Sequence, residues 1–151
     1  LTDQDGGSFG SADLHGKVWI ADFIFTRCAG TCPMQSAEKA KLQEELKAHP
    51  ARDEIRLVTF TVDPEHDTPP VLAEYARAHR ADPSHWKFLT GPRGDLWNLS
   101  ANGFKMDVAD DAGNEKMPIL HSSRFVLVDR AGRLRGYYDG LEEQGLTDLR
   151  A

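Results

Sequence analysis

The stretch that decides the fold is Gly16-Lys-Val-Trp-Ile-Ala-Asp-Phe-Ile-Phe-Thr-Arg-Cys-Ala-Gly-Thr-Cys-Pro33. Its first half, Lys17 to Phe25, is apolar and rich in branched and aromatic residues, which predicts a strand covered on both faces. After a loop, Cys32-Pro33 opens a helical pattern that runs to about Ala48, because Pro is well tolerated in the first helical turn. A strand, a loop and a helix in this order predict the start of an α/β sheet.

The same patterns, followed outward along the chain, predict the other elements. We expect strands at 55–62, 86–89, 104–108 and 121–129, helices at 68–80 and 95–100, a hairpin strand at 133–138 and a final helix from 142. Right-handed crossovers would bring the first strands together in parallel, and the closing hairpin is antiparallel. The sequence therefore predicts an α/β fold with a central mixed sheet flanked by helices. In such folds, sites lie at the carboxyl edge of the strands, where the loop with both cysteines is expected.

The composition is that of an ordinary soluble globular domain, with 40% hydrophobic and 28% charged residues among 151. The net charge of -6 argues against nucleic acid as a partner, because phosphate binding requires a basic surface. No apolar run approaches the roughly 20 residues that span a bilayer. Residues 1–11 are rich in Gly, Asp and Ser and are predicted to be a flexible lead-in to a single domain over 12–151.

The chain has only two cysteines, Cys28 and Cys32, which lie four positions apart. A disulfide scaffold would use more cysteines at wider spacing, so one close pair indicates a redox or metal site. A helix amino end favours a thiolate at Cys32, and Arg27 adds a positive charge nearby. We expect this pair to lie in a partly exposed loop. The alternative is a pair of small buried hydrophobic side chains without chemistry.

The stretch quoted above resembles the copper-site segment of the Sco/SenC family, with its Gly-Lys-strand-Phe-Thr-x-Cys-x-x-x-Cys-Pro pattern. Two later segments are also similar to motifs of that family. They are Thr61-Val-Asp-Pro-Glu-His-Asp-Thr-Pro69 and Leu120-His-Ser-Ser-Arg-Phe-Val-Leu-Val-Asp129. The resemblance covers about residues 14 to 140, and it implies a thioredoxin-like fold.

The resemblance also implies a function and a ligand set. Cys28, Cys32 and His121 would be the ligands of copper, as Cu(I) or Cu(II), in a copper chaperone. Its partner would be cytochrome c oxidase subunit II, whose dinuclear copper site it helps to fill, or another copper-accepting protein. Family members usually carry an amino-terminal membrane anchor, and such an anchor is absent from this sequence, which begins at Leu1. We therefore expect a periplasmic or other extracytoplasmic protein that is anchored in its full-length form.

The chemistry of these residue types agrees with copper. Two thiolates and an imidazole form a soft, three-coordinate set that suits Cu(I), whereas a structural zinc site would need a fourth ligand. Two other functions stay open. One is a thiol-disulfide oxidoreductase with Cys28 as nucleophile and Cys32 as resolving thiol, and the other is a peroxide-reducing or redox-sensing protein. His121 distinguishes them from copper binding, because disulfide chemistry can proceed without it.

Three assignments in the later motifs also have simpler interpretations. His121 could be a hydrogen-bonded histidine at a strand edge that binds no metal. Asp63 and Asp67 flank a Pro turn, and we expect them to form the turn and to cap the helix that follows. The alternative for these two carboxylates is a supporting role beside the metal.

Overall fold

The computed structural model describes residues 1–28, 32–48, 50, 52–106, 108–110, 119–121 and 124–139. At Ser11, Cys32 and Asp139, and in 108–110 and 119–121, it describes the backbone alone. The strands are β1 Thr2–Asp3, β2 Val18–Ile24, β3 Ile55–Thr61, β4 Trp86–Thr90, β5 Val108–Asp110, β6 Ile119–His121, β7 Arg124–Val128 and β8 Leu134–Asp139. The α-helices are α1 Cys32–Leu46, α2 Pro69–Ala78 and α3 Arg93–Asn98.

Six strands form one sheet in the order β1-β4-β3-β2-β7-β8, and β5 and β6 pair separately. Strands β2, β3 and β4 are parallel neighbours, while β1, β7 and β8 pair antiparallel. The predicted α/β class with a central mixed sheet is therefore confirmed. Strand β2 is an inner strand of the sheet. The cysteine loop that follows it therefore begins near the middle of the edge formed by the carboxyl ends of the parallel strands.

Strand β2 is long and apolar because helices cover both faces of the sheet. On one face, Phe23 stacks against Phe60 with ring centroids 5.0 Å apart, and Leu96 of α3 belongs to the same cluster. On the other face, Leu42 of α1 and Leu72 of α2 pack in a second cluster. Within the described ranges, no helix is both long and apolar enough to cross a bilayer.

Two of the predicted strands are wrong in their limits. The single strand expected over 121–129 is two strands in different sheets, because β7 pairs with β2 and β8 whereas β6 pairs with β5. An apolar pattern does not reveal a change of pairing partner. Residues 104–106 are not a strand, since the amides of Phe104 and Met106 bond back to the carbonyls of Leu99 and Ser100.

The first residues are more involved in the sheet than the sequence indicated. Strand β1 lies inside the stretch predicted as a flexible lead-in, and it pairs with β4. The buried Gln4 amide donates to the Trp86 carbonyl at 3.2 Å and accepts from the Phe88 amide at 3.0 Å. These contacts tie the amino terminus to the domain. The final helix expected from residue 142 lies outside the described residues.

A polar group interrupts the apolar interior between β2 and α1, and we call it the Asp22 cluster. Its members are at most 1% exposed, and they are Asp22, Gln35, Lys39, Thr59 and Trp86. The Lys39 ammonium donates to Asp22 Oδ1 at 2.6 Å, to the Val58 carbonyl at 2.7 Å and to Thr59 Oγ1 at 3.3 Å. Burial lowers the pKa of Lys39, and the adjacent Asp22 carboxylate opposes that change. All three ammonium hydrogens therefore have acceptors, and one of them is a compensating charge.

Replacing Lys39 alone should strongly destabilise the fold, because it leaves the Asp22 carboxylate buried without its counter-charge. We expect Lys39→Met to lower the free energy of unfolding by about 3–5 kcal/mol in urea denaturation. The double variant Asp22→Asn/Lys39→Met should lose less, since neither charge is then buried. The exposed Lys41→Met on the same helix is the control and should change stability by less than about 1 kcal/mol. Equal losses in the Lys39 single and double variants would contradict this account.

Candidate functional site

Cys28 lies at the carboxyl end of β2, on the loop that leads to α1. Its amide donates to the Phe25 carbonyl at 3.1 Å, and its side chain is only 4% exposed within the apolar cluster around Phe23. The expectation of a partly exposed loop is therefore wrong for this cysteine. The loop is held against the core by two carboxylates of the Pro turn, whose contacts with the residues before Cys28 the sequence did not indicate.

One of these neighbours is the buried carboxylate of Asp67. It accepts hydrogen bonds from the Thr26 amide at 3.0 Å, from the Thr26 hydroxyl and from the Thr61 hydroxyl at 2.6 Å. The residue at the N-cap of α2 is Thr68, so the expectation that the turn carboxylates cap this helix is wrong. Asp67 instead joins the start of the cysteine loop to the end of β3.

The second neighbour is Asp63, whose side chain is 5% exposed. Its Oδ2 accepts two hydrogen bonds from Arg27, at 2.7 Å from Nη2 and at 3.1 Å from Nε. The Arg27 charge that the sequence analysis placed beside the cysteines is therefore paired with a carboxylate. One signal in the sequence could have predicted both contacts. The Asp63-Pro turn follows β3, the parallel neighbour of β2, so the two loops leave the same edge of the sheet.

The other two predicted site residues are placed by their backbones. Cys32 is the first residue of α1, as its position before Pro33 predicted. His121 ends β6, in register with Val108. Three residues later β7 begins at Arg124, and it runs antiparallel to β2 with its amino end toward the carboxyl end of β2. Three residues span at most about 11 Å, so the chain confines His121 to the neighbourhood of that edge.

The described side chains do not by themselves contain a metal centre. Among them, no three His, Cys, Asp or Glu residues lie close enough together to hold an ion. The side chains of Cys32 and His121 are outside that set, so the predicted ligand set of Cys28, Cys32 and His121 stays a prediction. Of the three, only Cys28 has a described side chain; it belongs to the apolar cluster, and the residue is 4% exposed.

A family model described as SCO1/SenC matches residues 1–147. The chain belongs to the SCO1/SenC family. Among curated relatives, the SCO1 protein homolog of Bacillus subtilis (strain 168) is 35% identical over 147 residues, covering 97% of this chain and 74% of the relative. A Stutzerimonas stutzeri protein that carries a provisional copper-binding name is 34% identical over 138 residues, or 91% of this chain and 65% of that protein.

Solved structures of the SCO1/SenC family share the fold. A SCO1/SenC family lipoprotein from Bacillus anthracis str. Ames superposes with a TM-score of 0.88 at 35% identity, covering 99% of this chain and 86% of the other. BsSco, described as a Sco family cytochrome c oxidase assembly protein with a disulfide switch, gives 0.86 at 33% identity, covering 99% and 85%. The predicted thioredoxin-like fold and the predicted family are thereby confirmed for this SCO1/SenC domain.

Removing the acceptor capacity of Asp67 should loosen the cysteine loop. Asp67→Ala removes both carboxylate oxygens, so the Thr26 amide, the Thr26 hydroxyl and the Thr61 hydroxyl lose their acceptor. We expect a loss of about 2–4 kcal/mol in the free energy of unfolding and faster hydrogen exchange at the Thr26 amide. Glu65→Ala, at an exposed carboxylate in the same turn, is the control and should leave both unchanged. Normal protection of the Thr26 amide in Asp67→Ala would contradict the assignment.

Proposed function

We propose that this chain is a copper metallochaperone that binds one copper ion through Cys28, Cys32 and His121. The observation that carries the proposal is the way three chain segments converge on one edge of the sheet. Cys28 follows β2, Cys32 begins the next helix, and His121 lies three residues before β7, the antiparallel partner of β2. Two sulfurs and one imidazole nitrogen are a soft donor set that fits Cu(I), and Cu(II) would need further ligands from solvent. The copper-binding name of the 34% identical Stutzerimonas stutzeri relative also supports this proposal.

The burial of Cys28 favours copper holding over disulfide exchange with partner proteins. An attacking thiolate must reach the partner's disulfide, and a sulfur on a side chain that is 4% exposed has little access. A metal ligand has no such requirement, and an apolar surrounding keeps water away from a soft ion. The oxidoreductase alternative therefore has to use Cys32 as its attacking thiol. The disulfide switch named for the 33% identical BsSco supports keeping this redox alternative.

Copper titration tests the ligand set. The reduced protein should bind one Cu(I) per chain in competition with a chelator, and Cys28→Ser or Cys32→Ser should abolish tight binding. His121→Ala should weaken binding by about 100-fold or more, since loss of even a supporting partner costs about 10–100-fold. His15→Ala, at an exposed histidine, is the matched control and should bind as the parent does. Wild-type affinity in His121→Ala would remove His121 from the ligand set.

The proposed copper acceptor is cytochrome c oxidase subunit II, whose dinuclear copper site the chain would help to fill. The support is the description of BsSco as a cytochrome c oxidase assembly protein. When the copper-loaded chain is mixed with the metal-free soluble domain of subunit II, copper should move and the absorption of the dinuclear centre should appear. As a control, copper salts should fill the same metal-free domain. If they do, and the chain still keeps all of its copper, subunit II is not the acceptor.

We also propose an extracytoplasmic location, with membrane attachment through a segment outside this chain. The name of the 35% identical Bacillus anthracis relative, a lipoprotein, supports attachment. In a periplasmic or cell-surface compartment, the chain would lie on the outer side of the cytoplasmic membrane. An assembly factor there could bind copper-accepting domains that face away from the cytoplasm.

A further inference from the structure

A cavity of about 380 Å³ lies on the face of the sheet that is turned away from α1 and α2. Its lining includes Trp19 of β2, Phe60 of β3 and Phe104, which pack in the apolar cluster around Phe23. The volume is within the range of about 300–1,000 Å³ that small-molecule sites have. Leu134, at the start of β8, also lines the cavity and is 37% exposed, so the cavity is open to solvent.

The lining of this cavity is neutral. Among the described residues that form it, no side chain carries a charge, and Trp19 is the one whose side chain has a polar atom. An ion would lose its hydration in the cavity without gaining a counter-charge, which is costly. Trp19 packs edge to face on Phe104 with ring centroids 5.8 Å apart, so the aromatic part of the lining is held in place. The cavity is therefore preformed for a neutral, apolar molecule.

Trp19 adds one hydrogen-bond donor to this lining. The indole N–H of Trp86 donates to Thr59 Oγ1 at 2.9 Å, and that of Trp97 donates to the Val62 carbonyl at 2.8 Å. The indole N–H of Trp19 has no acceptor among the described residues, and this half-buried side chain leaves it accessible. A ligand that carries a carbonyl or another acceptor can bind there.

A second copy of the chain is a poorer occupant of the cavity than a small molecule. A two-fold dimer brings the same surface of both copies together. A concave patch near the axis would then face another concave patch, and a void would remain between them. A small molecule fills the cavity without leaving that void.

We propose that this cavity binds a neutral, largely apolar small molecule that carries a hydrogen-bond acceptor, which the indole N–H of Trp19 recognises. An aromatic ketone has this chemistry. The site is separate from the proposed copper site, because none of the proposed copper ligands lines the cavity. All measurements are made on the reduced, copper-free chain, so their outcome does not depend on copper binding.

The first test is titration with Nile red, a neutral, flat dye with a carbonyl group, whose fluorescence rises in apolar sites. We expect one dye per chain with a Kd of about 10 µM or tighter. The anionic dye anilinonaphthalene sulfonate should bind about tenfold more weakly or not at all, because the lining offers it no counter-charge. Absence of Nile red binding, one Nile red per two chains, or equally tight binding of the anionic dye overturns the proposal.

Two glycines provide a matched pair of variants that locates the dye. Gly10 lines the cavity, whereas Gly94 of α3 does not. At both positions an added Cβ would meet no atom within 4 Å, and neither residue has a positive φ, so a side chain is tolerated. We expect Gly10→Leu to weaken Nile red binding about tenfold or more by filling the cavity, and Gly94→Leu to leave it unchanged.

A second filling variant is Leu134→Trp, which enlarges a partly exposed side chain of the lining. It should also weaken Nile red binding. If neither Gly10→Leu nor Leu134→Trp weakens binding, or if Gly94→Leu weakens it equally, the dye binds elsewhere and the proposal is overturned.

The role of Trp19 is tested with 9-fluorenone and fluorene, which have nearly the same shape although only the ketone has an acceptor. Each is titrated as a competitor of Nile red, and the ratio of their two Kd values is compared between the parent chain and Trp19→Phe. Loss of the N–H should shift this ratio about fivefold against fluorenone. The change in cavity size largely cancels, since both ligands experience it. An unchanged ratio overturns the recognition by Trp19.

A measurement on the parent chain keeps this test valid even if Trp19→Phe does not fold. Fluorenone should move the indole N–H proton resonance of Trp19 downfield, as expected when this N–H gains an acceptor, and fluorene should not. An indole N–H resonance that responds equally to both compounds overturns the proposed hydrogen bond.

Discussion

A carboxylate inside a buried strand needs a compensating charge where bulk water does not reach it. Asp22 stands in β2, and the Lys39 ammonium that compensates it comes from α1. The pair fixes how this helix lies on the sheet, because a shift of α1 would separate two buried charges. Since α1 also begins with Cys32, the same contact sets the position of the backbone that carries the second cysteine. The ion pair in the core therefore also determines where the backbone of Cys32 lies.

The other half of the site depends on the turn after β3. Asp63 binds the guanidinium of Arg27, and Asp67 binds the amide and hydroxyl of Thr26. These carboxylates hold both residues before Cys28, so the sulfur lies in the apolar interior and not on an open loop. A cysteine held in this way is suited to keep a soft ion away from water and poorly suited to attack a partner. The burial of Cys28 therefore favours copper carrying over disulfide exchange with partner proteins.

The sequence by itself determined the elements whose signals are local. The mixed sheet was predicted from the apolar run of β2, the Pro after Cys32 and the strand expected at 55–62. The close spacing of the cysteines predicted a redox or metal site, and three motifs in order indicated the family. These features are readable because burial on both faces, helix starts and cysteine spacing each depend on neighbouring residues.

The tertiary structure decided what depends on contacts between distant residues. A period-two pattern does not say which strand is the partner, so the change of sheet between His121 and Arg124 was missed. The bonds Lys39–Asp22, Arg27–Asp63 and Thr26–Asp67 join residues 17 to 41 positions apart. Local propensity carries no information about such pairs, because their energy arises only when packing has removed water from between them.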